Sequence, residues 1–435
     1  MLFLVPFTRL VAPYLGLFVL LLFLLTNLAP AQAQPPIRDL VLRPARMFDG
    51  EQMHTGWTVV VRGERIVAAG PTAGITVPAG ANVLDLPTET LLPGLIEGHG
   101  HLLLHPYDET AWDAQVLNES RAERTLRAAN HARATLAAGF TTLRDLGTEG
   151  AEYDDVGIKQ SIEKGIIAGP RLSVCTRALV ATGSYGPKGF SPGVVVPQGA
   201  EEADGIDDLI KAVRRQIGQG ADFIKVYADY RWGLRGDPRP TFTETELKLI
   251  VETARSSGRY VAAHAQTAEA MRRCVLAGVT TIEHGDNGTP EVFQLMKQNG
   301  VALCPTLAAS DAVAQYRGWK KGTDPTPEHI QQKRESFRLA LAAGVTICFG
   351  GDVGVFAHGD NAREMELMVD YGMPPLAVLR AATAVNAQVF GLPDQGRIRA
   401  GLLADLVVVT GDPSQQISDI RQIKLVFKGG QLVKN

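Results

Sequence analysis

Residues 91–101 read LLPGLIEGHGH, an apolar run that ends in a glycine-rich stretch with two histidines two positions apart. A β-strand has a side-chain period of two, so His99 and His101 project from one face at the end of this run. Seven further short apolar runs follow it: TTLRDLG (141–147), RLSVCTRAL (171–179), ADFIKVYAD (221–229), YVAAHAQ (260–266), TTIEHGD (280–286), VALCPTL (301–307) and TICFGGD (346–352). Amphipathic stretches alternate with them, among them residues 120–138 and 243–257, where Thr243 and Glu246 have the spacing of a capping box. Eight such units predict an α/β fold in which a (β/α)8 TIM barrel spans residues 93–393. The alternative, a doubly wound open sheet, would normally show a glycine-rich dinucleotide fingerprint after its first strand, and none is present.

Outward from this middle the texture changes. LVLRPARMFD (40–49), TVVVRGERIVAAG (58–70) and NVLDL (82–86) are short and strand-like, and ADLVVVTGD (404–412) and IKLVFKGGQLV (423–433) repeat that texture at the other end. Residues 34–92 and 394–435 are therefore expected to form one small β-sandwich from both ends of the chain. Residues 1–33 carry a lone Arg9, an uncharged apolar run from Leu10 to Leu28, and Ala31-Gln32-Ala33. This predicts a secretory signal peptide and an exported mature chain, periplasmic or secreted. An uncleaved membrane anchor is the alternative, because the run approaches the roughly 20 residues that span a bilayer.

Composition narrows the function classes. With 45% hydrophobic and 20% charged residues the 435-residue chain can bury a large core, and a formal charge of -3 offers no electrostatic footprint for nucleic acid. A small-molecule substrate is expected, and a homo-oligomer is left open. The four cysteines, at 175, 274, 304 and 348, make no C-x-x-C pair. They are expected to be buried free thiols.

The polar residues at the strand ends are His99, His101, Lys225, His264, His284 and Asp352, and a barrel places its catalytic groups at that end. A lone strand-end histidine is most often a packing residue. Four of them on three strands, with Asp352 on another, point instead to a divalent metal held by imidazole and carboxylate. His54, His131 and His329 are expected in surface or packing roles, while His105 and His358 lie in rim loops from which either could reach the site. A lysine at 225 is costly inside a barrel mouth unless its charge is satisfied, either by a salt bridge to Asp352 or by a functional role. Tyr227 shares its face.

Taken in order, LLPGLIEGHGH, FIKVY, AAHA, TIEHG and GGDVG resemble the metal-binding strand ends of the amidohydrolase superfamily, and more narrowly its imidazolonepropionase-related branch with metal-dependent Xaa-Pro dipeptidases. The resemblance covers nearly all of the chain beyond residue 33. It implies that His99 and His101 bind a first metal, that Lys225 is carboxylated (N6-carboxylysine) and bridges to a second, and that His264 and His284 bind the second. Asp352 would contact the first metal and act as general base and acid, and Tyr227 would polarise the scissile carbonyl. Two zinc ions, a metal-activated water and an amide or dipeptide substrate follow from the same likeness. Ester, lactone, cyclic amide or phosphotriester hydrolysis is the alternative chemistry, and a non-catalytic binding protein with a retained metal site is the alternative of another class. Two departures stand out: Glu97 where relatives often have aspartate, and Gly183-Ser184-Tyr185-Gly186 where the dipeptidases often have a Gly-Gly-His-Gly turn.

Overall fold

In a computed structural model of the chain, residues 39–191 and 193–434 are described. The expected signal segment, residues 1–33, lies outside them. No helix among the described residues is long and apolar enough to cross a membrane.

The expected alternation is present. Leu95–Gly100 pairs in parallel with Phe140–Asp145, which pairs in parallel with Arg171–Val174. The third unit then breaks at Thr176, where φ is 66°, and resumes at Leu179–Val180 beside Ile224–Tyr227. Val261–Thr267, Thr281–Asn287 and Ala302–Cys304 follow in order, all parallel. Helices lie between them as expected: Ser120 Oγ accepts from the Glu123 amide at the start of Arg121–Ala137, and Thr243 and Glu246 form the capping box of Glu244–Arg255.

The eighth expected strand, residues 346–352, departs from regular geometry. It is held by isolated parallel bridges, Leu303 with Ile347 on one side and Gly100 with Val353 on the other. The local sequence explains this. A Cβ at Gly350 would lie 2.7 Å from the His99 nitrogen and 2.5 Å from Cys304 Sγ, so only glycine lets the segment approach its neighbours this closely. Asp352 then takes a φ of 64°.

The two ends of the chain do meet in one sheet. Its order is Gln431–Lys434, Ile423–Lys428, Leu406–Thr410, Asn82–Pro93, Leu40–Phe48, Trp57–Arg62 and Arg65–Pro71, with Met53–Thr55 on the side of Leu40–Phe48. Period-two alternation decides what each face covers. Leu406, Val408 and Leu91 join a cluster within the sheet itself with Leu42, Val59 and Phe427. Val407, Val409 and Leu92 point the other way, into the large core of the parallel-stranded body. Residues 39–435 form one compact unit on this shared core. The four cysteines are free and buried, as expected.

Candidate active site

Six of the predicted residues converge at the C-terminal ends of the parallel strands. His99 and His101 leave the first strand with ring centroids 5.4 Å apart, and His99 lies 5.2 Å from His284. His264 and His284, on adjacent strands, are 4.3 Å apart. Asp352 Oδ1 comes within 3.3 Å of His101 Nε2 and 3.6 Å of His99 Nε2. His99, His101 and Asp352 offer ligand atoms within 4.8 Å of one another.

Three of the four imidazoles are held from behind, which fixes where the other nitrogen of each faces. His99 Nδ1 is 2.9 Å from Glu283 Oε2, His101 Nδ1 is 2.9 Å from the Gly147 carbonyl, and His284 Nδ1 is 2.8 Å from Thr306 Oγ1. Glu283 is itself anchored by Arg144, whose Nη2 donates at 2.7 Å. His284, Thr306 and Asp352 all have positive φ, at 76°, 48° and 64°. Such strain in residues other than glycine gathers at functional sites.

Four buried polar atoms in this group have no hydrogen-bond partner: His99 Nε2, His264 Nε2, Lys225 Nζ and Asp352 Oδ1. Orphaned groups are costly inside a protein and call for an explanation. A bound cation supplies one, because three of the four are lone-pair donors suited to it. Lys225 is fully buried and makes no ion pair with Asp352, so the salt bridge left open by the sequence is not formed. Burial pushes its amine below the ordinary lysine range. Burial and Lys225 together lower His99 to about 4, and both also act to lower His264. Burial opposes charge on His101 too, but Asp352 outweighs it and lifts that imidazole to about 9. A second potential ligand group, His99, Glu283 and Cys304, lies beneath the mouth. Glu283 is already bound to Arg144, and burial raises the Cys304 thiol, so this group is poorly suited to a cation.

The site opens into a cavity of about 300 Å³ whose wall includes His99, His101, His264, His284, Asp352 and Tyr227. Tyr185, from the segment after the third unit, and Ser310, Val313 and Arg317, in and just after the helix Leu307–Tyr316, also line it. His329 is exposed, one of the two roles expected of it, and it also lines the cavity from the start of its helix. His105 is tied to Glu109 and Glu119, and His358 to the carbonyls of His101 and Leu104; neither lines the cavity. His54 stacks on Trp57 and His131 on His358, the packing roles expected of them.

Four side chains that sequence reasoning did not assign complete the site. Glu97 accepts from the amides of His99 and Gly351 and from Asn361 Nδ2, tying the first strand to the segment that carries Asp352. Glu283 and Arg144 brace His99. Glu149, on the loop after the second strand, accepts from Trp112 Nε1 at 2.9 Å, Tyr185 hydroxyl at 2.6 Å and Tyr227 hydroxyl at 3.2 Å.

Known proteins are similar to this chain in sequence and in fold. Ochratoxinase of Aspergillus niger is 31% identical over 377 residues, spanning 79% of this chain and 75% of that one. Its crystal structure superposes with a TM-score of 0.78 at 27% identity, over 92% of this chain and 96% of the other. A crystal structure of a Xaa-Pro dipeptidase with bound methionine matches at a TM-score of 0.79 and 30% identity, covering 91% of this chain and all of that one. Imidazolonepropionase of Deinococcus radiodurans is 22% identical over 379 residues, 83% of this chain and 87% of its own. These likenesses imply a TIM barrel with a small additional domain. The profile of the amidohydrolase family matches residues 90–433, a span that contains every side chain at this mouth. On that match the chain belongs to the amidohydrolase family, as a hydrolase of carbon–nitrogen bonds related to Xaa-Pro dipeptidase-like proteins.

Proposed function

We propose that the protein is a metal-dependent hydrolase that cleaves the amide bond of a small substrate, a dipeptide or an N-acyl amino acid. The observation that carries this reading is the convergence of orphaned polar atoms from His99, His264 and Asp352 on one cavity, with the orphaned Lys225 amine buried 5.1 Å from the ring centroid of Tyr227, which lines the same cavity. His99, His101 and Asp352 would hold one divalent ion, most suitably zinc, and His264 and His284 a second. Lys225, carboxylated on Nζ, would bridge them. Bound cations supply Lewis-acid activation of water and of the scissile carbonyl. Burial keeps the Lys225 amine poised toward its neutral form, the form that adds carbon dioxide and releases a proton as the carbamate forms. Burial works against charge on Asp352, but His99 and His101 outweigh it and hold this carboxylate well below the usual range, so it stands ionised, the form that would take a proton from the attacking water. It would return that proton to the leaving nitrogen. Tyr227 directs its hydroxyl to Glu149, and polarising a carbonyl requires it to turn from that partner.

The names of the relatives favour this bond type over the alternatives of ester, lactone or phosphotriester cleavage. The scaffold is read as a closed (β/α)8 barrel, supported by the two bridges at residues 347 and 353, with the sheet from both chain ends folded as a sandwich around its own cluster. Export remains a reading of residues 1–33, tested by N-terminal sequencing of the native protein; a retained Met1 in a membrane fraction would overturn it.

The test is a panel of dipeptides and N-acyl amino acids, assayed with elemental analysis before and after chelation. Hydrolysis that is lost with the metal and restored by zinc is expected, with close to two equivalents bound and at least one lost in Lys225→Ala. Full activity in chelated protein would refute metal dependence, and one tightly held ion in both proteins would refute the bridging role of Lys225.

A further inference from the structure

Glu149 is an acid that the hydrolytic chemistry above does not use. It is 2% exposed, lines the cavity, and sits at a φ of 49°. All three of its side-chain partners, Trp112, Tyr185 and Tyr227, are neutral. The nearby Arg124 guanidinium is spent on the carbonyls of Leu103, Thr148 and Glu149, and among the described residues no cation forms an ion pair with the Glu149 carboxylate. Burying a carboxylate this deeply without a counter-ion is expensive.

The surroundings are aromatic. Tyr185 lies 4.7 Å from Tyr227 and 4.8 Å from Tyr230 between ring centroids, Trp112 packs on Tyr185 at 5.0 Å, and Tyr107 lines the same cavity. The Glu149 charge attracts a desolvated ammonium, and the tyrosine rings that line the same cavity add the attraction of their quadrupoles where it meets their faces. The location is also defined. Tyr227 joins Glu149 through its hydroxyl and stacks on His264 at 4.6 Å, so the carboxylate stands one side chain away from the ligand cluster. In a dipeptide, the α-ammonium is two bonds from the scissile carbonyl carbon.

We propose that Glu149 and its tyrosines form a subsite for a cationic nitrogen on the acyl side of the substrate, so that the enzyme prefers dipeptides with a free α-amino group over their N-acylated counterparts. This rests on the amide-hydrolase reading and narrows it to one of its two substrate classes.

The experiment compares kcat/KM for a panel of dipeptides with that for the N-acetylated form of each, in wild-type protein and in Glu149→Gln, which keeps the shape and removes the charge. Wild type is expected to favour the free amine by about ten- to hundred-fold, the strength of a charge-assisted contact in a partly desolvated site. In Glu149→Gln that ratio should collapse toward one. If Glu149 only braces the aromatic side chains, both substrates lose rate together, the ratio survives, and the proposal fails. Thermal unfolding of the variant is measured alongside. Should it not fold, the wild-type ratio decides alone: equal rates, or faster cleavage of the N-acetylated forms, overturn the subsite while leaving the hydrolase intact. If no member of the panel is cleaved, the amide-hydrolase reading falls, and the subsite with it.

Discussion

Asp352 stands where a short glycine-rich segment turns into the mouth, with the two imidazoles of the first strand against its carboxylate. Asp352→Asn is expected to keep the fold and the bound metal but to lose about 100- to 10,000-fold in turnover, the usual contribution of a positioned acid or base. Turnover, metal content and unfolding temperature measured on that one variant check it; early unfolding or full activity would each remove Asp352 from its role. Arg144 should behave differently. It is buried, and it holds Glu283 against burial in the charged state, well below the usual carboxylate range. Arg144→Met would strand that charge, and a loss of about 3–5 kcal/mol in chemical denaturation is expected. The four histidines were legible in the sequence because a polar residue that ends an apolar run is conspicuous. Glu149 was not, since its site depends on Trp112 at the start of a helix and on Tyr185 from another loop, and nothing in Thr148-Glu149-Gly150 announces them.

Helix starts carry the next level of information. Thr243→Ala should remove the capping box of Glu244–Arg255 at about 1 kcal/mol, seen as a lower urea midpoint with an unchanged slope. This box could be read directly from a spacing of three residues. The start of Leu307–Tyr316 could not: Thr306 turns its hydroxyl to His284, and Glu364 from the helix Ala362–Asp370 accepts from the Ala308 amide instead. Burial pushes the Glu364 carboxyl up to about 8. An unfolded glutamate releases its proton near pH 4.3, so between that value and about 8 the folded chain binds more protons than the unfolded one. Stability from this group is therefore greatest at low pH and falls as pH rises through the window. Glu364→Gln should flatten that slope in urea titrations from pH 5 to 8, and an unchanged slope would place the titration elsewhere. The eighth strand was legible as an apolar run but not as an irregular one. Its departure comes from the close approach of Gly350 to its neighbours, a relation between segments some 250 residues apart.

Across the molecule, sheet and parallel-stranded body share a core through Leu92, Val407 and Val409, and the part-buried Arg171–Asp405 and Lys428–Gly169 contacts join them at its margin. They should unfold in one transition, with calorimetric and van't Hoff enthalpies that agree for residues 39–435; two separable transitions would show that the shared core does not couple them. The order of the sheet has a further consequence for how the chain is made. Leu40–Phe48 finds Asn82–Pro93 soon after synthesis, but the other edge of Asn82–Pro93 waits for Leu406–Thr410, which leaves the ribosome more than 300 residues later. During that interval an apolar strand has open backbone groups and no native partner, the state most prone to pairing with another nascent chain. Truncated products that end before residue 406 keep that edge open permanently, so aggregation rather than partial activity is their natural fate.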